Sequence, residues 1–272
     1  MYWNVMFCNG NLAFIFKCIV PVAASYLFSS YEIKLPTSNY FFLSDDFKND
    51  YFMLIFFYQS FGIYGLMVYD ISIHTFVNGF LSFAITQLKI LNYKFSTFKS
   101  ERDSKFNKYE IERINMMKLK QMLKHYDNIL KYCKGIQDIF NVTLFVQYIM
   151  SSLVICFVCC GLLLPLTKEQ YAFVFAYLFG MVIQIFAPSF LGTLITYQNQ
   201  ELVFAAYNSD WFARSESFKR SIKIFMVRTN TPVVIDGLKL FPLSLETFTS
   251  IMKTAYSFMT LVRNMQNESN IP

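Results

Sequence analysis

Charge is scarce in this chain. Asp, Glu, Lys and Arg make up 15% of its 272 residues, against about 25% in an ordinary soluble domain. Histidine is scarcer: His74 and His125 are the only two, too few for the clusters that hold catalytic metals. No G-x-S-x-G elbow, phosphate-binding loop or H-E-x-x-H pattern occurs, so the chain is not expected to be an enzyme and no cofactor is expected. The six cysteines form no disulfide framework. Cys156, Cys159 and Cys160 lie inside an apolar run with no histidine nearby, and thiolates there would need strong charge compensation, so no metal is expected. No basic segment precedes the first apolar stretch and no small-residue cleavage site is evident, so it does not read as a signal peptide. What remains is abundant: 55% of residues are hydrophobic and 19% aromatic, including 32 Phe and 18 Tyr. The fold expected is all-α, a polytopic helical membrane protein.

Five spans of about 20 or more largely apolar residues are read, at about 5–28, 51–83, 138–164, 171–196 and 242–263, in one transmembrane domain. Between them lie two basic segments, about 89–134 and 197–231. Twelve of the 24 Lys and Arg fall between Lys89 and Lys134, and Arg214, Lys219, Arg220, Lys223 and Arg228 lie before the last span. Basic runs flanked by spans are better explained by retention in the cytoplasm than by nucleic acid, so no nucleic-acid partner is expected. This bias puts residue 1 in the cytoplasm and the C-terminus outside. Leu88, Leu91 and Phe95 keep helical spacing beyond the second span. Ile111, Ile114, Met122, Tyr126, Ile129, Cys133 and Ile136 recur at three- or four-residue steps or their sums, an apolar stripe of a helix from about Tyr109 that leads into the third span. That stripe suits packing against equivalent helices, or else contact with membrane lipid. Pro188 predicts a kink in the fourth span, and Gly192 permits close helix contact.

The last span is oddly polar. On a helix, Ser244, Thr247, Ile251, Thr254 and Phe258 share one face. Hydroxyls interrupted by an apolar ring suit a helix lining a narrow water path that closes by dewetting. The other reading is that these hydroxyls bond only their own preceding carbonyls or a neighbouring helix. Within the second span, Asp70 and His74 stand one turn apart, with Gln59 about three turns earlier. Such a pair is either a structural hydrogen-bonded couple or a proton relay. Gln184 reads as interhelical glue. Aromatics crowd the outer half of the second span and the start of the fourth. Phe57, Tyr58, Phe61, Gly62 and Phe175, with Phe16 and Val20 of the first span, are the candidate lining of an apolar pocket for a small hydrophobic ligand; ordinary packing is the alternative.

The C-terminal third resembles the insect odorant receptors. The matching pieces are Ala206-Tyr207-Asn208-Ser209-Asp210-Trp211, Arg228 with Thr231-Pro232, Leu243-Ser244-Leu245-Glu246-Thr247-Phe248, Ala255-Tyr256-Ser257-Phe258 and Thr260-Leu261-Val262-Arg263. Leu35-Pro36, Gln59, Asp70 and Gln87-Leu88 match more loosely. The resemblance implies a multi-pass plasma-membrane protein with an intracellular N-terminus and an extracellular C-terminus. It implies a ligand-gated, non-selective cation channel subunit that binds an odorant small molecule and works as a heterotetramer with a co-receptor subunit. By position relative to Tyr256, Thr247 and Ile251 fall where that family narrows its pore. Seven spans are implied and five are read, so the first two are expected to be missing, as in a fragment or degenerate copy. Ala255 before Tyr256, and Val262-Arg263 where related subunits carry Gln-Phe, favour a ligand-tuning subunit over a co-receptor or gustatory receptor. Two other classes compete: a G-protein-coupled-type chemoreceptor, which needs the C-terminus inside, and a proton-coupled small-molecule transporter working through Asp70.

Overall fold

A computed structural model describes residues 47, 50–98, 108–163, 165 and 167–269. It is a helical protein, with helices α1 (Phe52–Ser96), α2 (Lys108–Gly161), α3 (Lys168–Tyr207), α4 (Glu216–Thr229) and α5 (Leu245–Ser269). A two-stranded antiparallel hairpin, β1 (Asp236–Gly237) and β2 (Phe241–Pro242), separates α4 from α5. Among the described residues three helices, α1, α2 and α3, are long and apolar enough to cross a membrane. They have 45, 54 and 40 residues, so at 1.5 Å per residue they measure about 68, 81 and 60 Å. A hydrocarbon core is about 30 Å thick, so each helix carries a long stretch outside it. The charges concentrate there. The segment read as the first span lies outside the described residues. The last, α5, has 25 residues, enough length to cross, but it is too polar to count with the other three.

The described residues divide into two compact units. One is drawn from the chain up to Phe76 and from Pro165–Gln184; the other comprises Val77–Leu164 and Ile185 onward. The second unit holds the larger core. Its basic part is built from the end of α1, the first half of α2, the end of α3, and α4. Leu88, Leu91 and Phe95 of α1 are buried, as are Met122, Tyr126, Ile129, Cys133 and Ile136 of α2. Helix α4 adds Phe218, Ile222, Phe225 and Thr229, spaced by four, three and four residues on one face. Ser215 caps α4, its Oγ accepting from the Phe218 N–H at 3.4 Å. Aromatic rings join these helices. Phe225 stacks on Phe95 at 5.0 Å between centroids and meets Tyr126 edge-on at 5.3 Å, while Phe98 stacks on Phe218 at 5.8 Å. The Arg214 guanidinium lies over the Phe98 and Phe218 rings.

One polar hub is sealed inside that core. Asn199 of α3 is fully buried. Its amide donates to the Thr229 and Thr231 carbonyls at 2.9 and 3.1 Å, and its oxygen accepts from the Tyr126 hydroxyl at 2.9 Å. Burial pushes the Tyr126 phenol up to about 12, so it remains a donor at any physiological pH. Around the hub, Asn92 donates to the Gln198 carbonyl at 2.9 Å, and Arg228 pairs with Asp127 at 2.5 Å.

Between α4 and α5 the hairpin forms a clamped turn. Gln137 of α2 bonds both backbone groups of Asp236, donating to its carbonyl at 2.5 Å and accepting from its N–H at 2.9 Å. Asn141, one turn along α2, accepts from the Leu238 N–H. Gly237 is pressed against Phe145, where an added Cβ would fall 3.0 Å from that residue's backbone. The turn itself is strained. Leu238 and Lys239 have φ of 51° and 58°, a region that disfavours side chains with a Cβ. The Asp236 carboxylate holds the turn by accepting from the Lys239 N–H at 2.9 Å. Lys239→Gly relieves one strained residue without touching these bonds. It is expected to raise stability by about 0.5–1 kcal/mol, read as a higher apparent Tm in detergent.

Candidate functional site

The start of the last helix is fixed from several sides. Leu243, buried, donates its N–H to the Ile235 carbonyl at 2.8 Å. Leu245 N–H reaches across to Thr193 Oγ1 of α3 at 2.9 Å. Phe248 meets Phe186 of α3 edge-on at 5.5 Å. Gly192 lies so close that a Cβ on it would stand 2.7 Å from the Leu243 Cβ, and closer still to its carbonyl oxygen. Ser244 caps α5. Its Oγ accepts from the Thr247 N–H at 3.2 Å, and the Thr247 hydroxyl turns back to the Pro242 carbonyl at 2.7 Å. Glu246 adds a carboxylate to this first turn, where the helix dipole favours it.

The five residues of the expected stripe divide. Ser244, Thr247 and Ile251 are half-buried, whereas Thr254 and Phe258 are exposed. Beside Ile251, Ala255 is buried; α5 packs against α2. Thr254 Oγ1 donates to the Ser250 carbonyl at 2.9 Å, one turn back, and Thr249 and Thr260 bond carbonyls three residues back. In one chain, then, these hydroxyls satisfy themselves along their own helix. The exposed face of α5 retains Ser250, Thr254 and Ser257.

In the first unit, a polar cluster sits among apolar helix. Gln184 of α3 reaches Asp70 of α1, its Nε2 standing 3.3 and 3.2 Å from the two carboxylate oxygens. The same amide contacts His74 Nε2, which lies 3.5 Å from Asp70 Oδ1. Asp70 and His74 therefore pair one turn apart and are joined across helices by Gln184. His74 and Gln184 are buried, while the Asp70 side chain is 56% exposed. Gln59, also buried, lies about three turns earlier on α1.

The aromatic candidates are placed differently. Phe57, Tyr58 and Phe61 are 68%, 71% and 78% exposed, and Phe175 is 67% exposed; Gly62 has open space around it. The buried face of this part of α1 is instead Ile55, Phe56, Gln59 and Ser60. Phe16 and Val20 lie outside the described residues. The hydroxyl of Ser60 is buried with no hydrogen-bond partner among the described residues. Sequence periodicity missed this face because Phe52–Phe61 is apolar nearly all round.

Comparison with known proteins now decides the family. A family profile described as "7tm Odorant receptor" matches residues 1–256. The chain belongs to the odorant receptor family. Among curated odorant receptors it is 26% identical to odorant receptor 10 of Aedes albopictus over 185 residues, covering 68% of this chain and 48% of that one. It is also 26% identical to odorant receptor 67c of Drosophila melanogaster over 209 residues, covering 74% and 51%. The chain thus spans about half the length of these relatives. Its fold is similar to that of the insect olfactory receptor OR5 from Machilis hrabei, solved in complex with eugenol, with a TM-score of 0.74 at 16% identity, over 97% of this chain and 65% of that one. An odorant receptor chain is a multi-pass membrane protein, in keeping with three helices able to cross a bilayer. Family membership also places the chain among receptors and not enzymes.

Proposed function

We propose that this chain is a ligand-tuning subunit of an odorant-gated, non-selective cation channel in the plasma membrane. It works in a heterotetramer with a co-receptor subunit, its N-terminus cytoplasmic and its C-terminus extracellular. One observation carries the reading: α5 has the length to cross a bilayer, too many hydroxyls to face lipid on every side, and a start capped and held against α2 and α3. A helix of that kind has a use where its polar side meets water and its other side meets protein. The stripe from Ser244 through Thr247, Ile251 and Thr254 to Phe258 is assigned to the water path, with Ile251 as the ring that closes it. The pocket belongs to the outer half of the bundle, among the aromatics around Phe57, Tyr58, Phe61 and Phe175 and the buried face of Phe56, Gln59 and Ser60. Its ligand is a small, volatile, hydrophobic molecule, and gating follows if the ligand binds the open arrangement more tightly than the closed one.

Ile251→Ala tests the pore assignment. In a receptor containing this chain, co-expressed with the co-receptor, it is expected to raise resting current several-fold, because the smaller side chain leaves a wider, less apolar ring that dewets less readily. Unchanged leak and unchanged gating would overturn it. A tag placed after Pro272 and stained without permeabilisation tests orientation; an inaccessible tag favours the G-protein-coupled arrangement. The Asp70–His74–Gln184 cluster is the feature that favours a carrier instead. If that reading held, Asp70→Asn would abolish proton-coupled uptake while leaving no ligand-gated current to measure.

A further inference from the structure

The Asp70–His74 pair has a geometry that neither the pore nor the odorant pocket uses. The two residues stand four apart on α1, so their side chains overlie on one face. His74 Nε2 lies 3.5 Å from Asp70 Oδ1. Two donor atoms on one tetrahedral ion, each about 2.1 Å from it, stand about 3.4 Å apart. The pair therefore already has the spacing of a chelate, and a single helical turn sets it.

The donor types match that spacing. An imidazole nitrogen beside a carboxylate oxygen suits borderline ions such as Zn²⁺ and Cu²⁺, whereas Mg²⁺ and Ca²⁺ sites are built from oxygen alone. An outer partner is present too. Gln184 of α3 stands 3.2 Å from Asp70 Oδ2, the oxygen not paired with the ring, and 3.3 Å from Oδ1. A hydrogen bond of that kind orients a ligating carboxylate. The same amide contacts the His74 ring nitrogen; an ion bound there displaces it and leaves it on the carboxylate. His74 is buried on the apolar side, while the Asp70 side chain is exposed and leaves a flank open to water. Among the described residues no third His, Cys, Asp or Glu joins the pair. Catalytic and structural zinc centres use about three or four protein ligands. Here water completes the shell, and the ion exchanges with solution.

We propose that Asp70 and His74 reversibly bind a divalent transition-metal ion of the zinc class, with Gln184 as the outer-shell donor. The consequence lies in how α1 is tied to α3. Gln184 reaches both residues of the pair, so the bound ion exchanges its contact with the ring for metal coordination and keeps only its bond to the carboxylate. Binding requires only the folded chain, so this inference and the channel reading fail separately.

The test uses the full chain, purified in detergent without a histidine tag and stripped with EDTA. Zn²⁺ is titrated in competition with a chromophoric chelator, and one ion per chain is expected to bind. His74→Gln and Asp70→Asn are each expected to weaken that binding by about tenfold or more, at least the loss seen when an outer-shell partner is removed. The rival ligands are the thiols and the second imidazole. Cys156→Ser/Cys159→Ser/Cys160→Ser and His125→Gln are expected to bind as the parent does. In the variant lacking those three thiols, electron paramagnetic resonance of bound Cu²⁺ is expected to show coupling to a single imidazole. Should Asp70→Asn not fold, His74→Gln and this signal decide. The site is overturned if no Zn²⁺ binds, if His74→Gln binds as tightly as the parent, or if binding is lost only in the cysteine or His125 variant.

Discussion

Asn199→Leu is expected to lower the apparent Tm of the purified chain by about 6–12 °C, corresponding to about 3 kcal/mol at this chain length. The side chain fits in volume, so packing is not the main loss. Three hydrogen bonds vanish together, and the groups they served stay where they are. The Tyr126 hydroxyl is buried and loses its acceptor; the Thr229 and Thr231 carbonyls lose a donor. Each unsatisfied buried group costs about 1–3 kcal/mol. Tyr126→Phe alone removes one bond and leaves the Asn199 oxygen unpaired, at about 1 kcal/mol. In the double variant Tyr126→Phe/Asn199→Leu no phenol remains to be stranded, so the combined loss is smaller than the sum. Strict additivity, or a shift under about 2 °C for Asn199→Leu, would show that the hub is not a coupled unit. Because Asn199 joins α2, α3 and the end of α4, the same variant is expected to loosen the segment leading to the hairpin. Hydrogen exchange at residues 229–231 reads that directly.

How much of this was legible in the sequence depends on whether charge alternates with apolar residues. Where it does, faces could be read. Leu88, Leu91 and Phe95, and the stripe residues from Met122 to Ile136, stand out against lysines, and the structure buries them, while Ile111 and Ile114 at the start of that stripe are half-buried. Where every position is apolar, the 3.6-residue period has no contrast to act on. Phe56 and Phe57 are equivalent by composition, yet one is 4% and the other 68% exposed. Long-range polar pairing is illegible for a different reason. Asp70 and His74 are one turn apart and could be paired by spacing alone, but Gln184 joins them across more than a hundred residues. Gln137 and Asp236 are 99 residues apart, and no local pattern announces their contact. The turn at Leu238-Lys239 was invisible because it lacks the Gly or Asn that usually marks left-handed backbone; tertiary bonds from Gln137, Asn141 and Asp236 hold it instead.

Gly192→Ala is expected to cost about 1–3 kcal/mol, although alanine is the better helix former by about 1 kcal/mol. The sign is set by what the methyl would meet. Its nearest neighbours are the carbonyl oxygen, Cβ and carbonyl carbon of Leu243, all of them part of or next to backbone, so no rotamer change makes room. The loop must move, and Leu243 is where it is held: its N–H bonds the Ile235 carbonyl, and two residues on Leu245 bonds Thr193, the neighbour of Gly192. A shift of Leu243 therefore strains both bonds and lifts the first turn of α5 from α3. Gly135→Ala is the control. Gly135 also lies inside a long helix, but nothing stands within 4 Å of its would-be Cβ, so that change is expected to stabilise by up to about 1 kcal/mol. Opposite shifts in apparent Tm for the two variants mark a steric contact, where equal shifts would mark helix propensity alone. In the assembled receptor, Gly192→Ala is further expected to change the ratio of resting to ligand-evoked current, since it displaces the end of the helix assigned to the pore. A variant with lowered Tm and unaltered gating would separate the two roles, leaving the Gly192 contact as a fold element and removing the start of α5 from the gate.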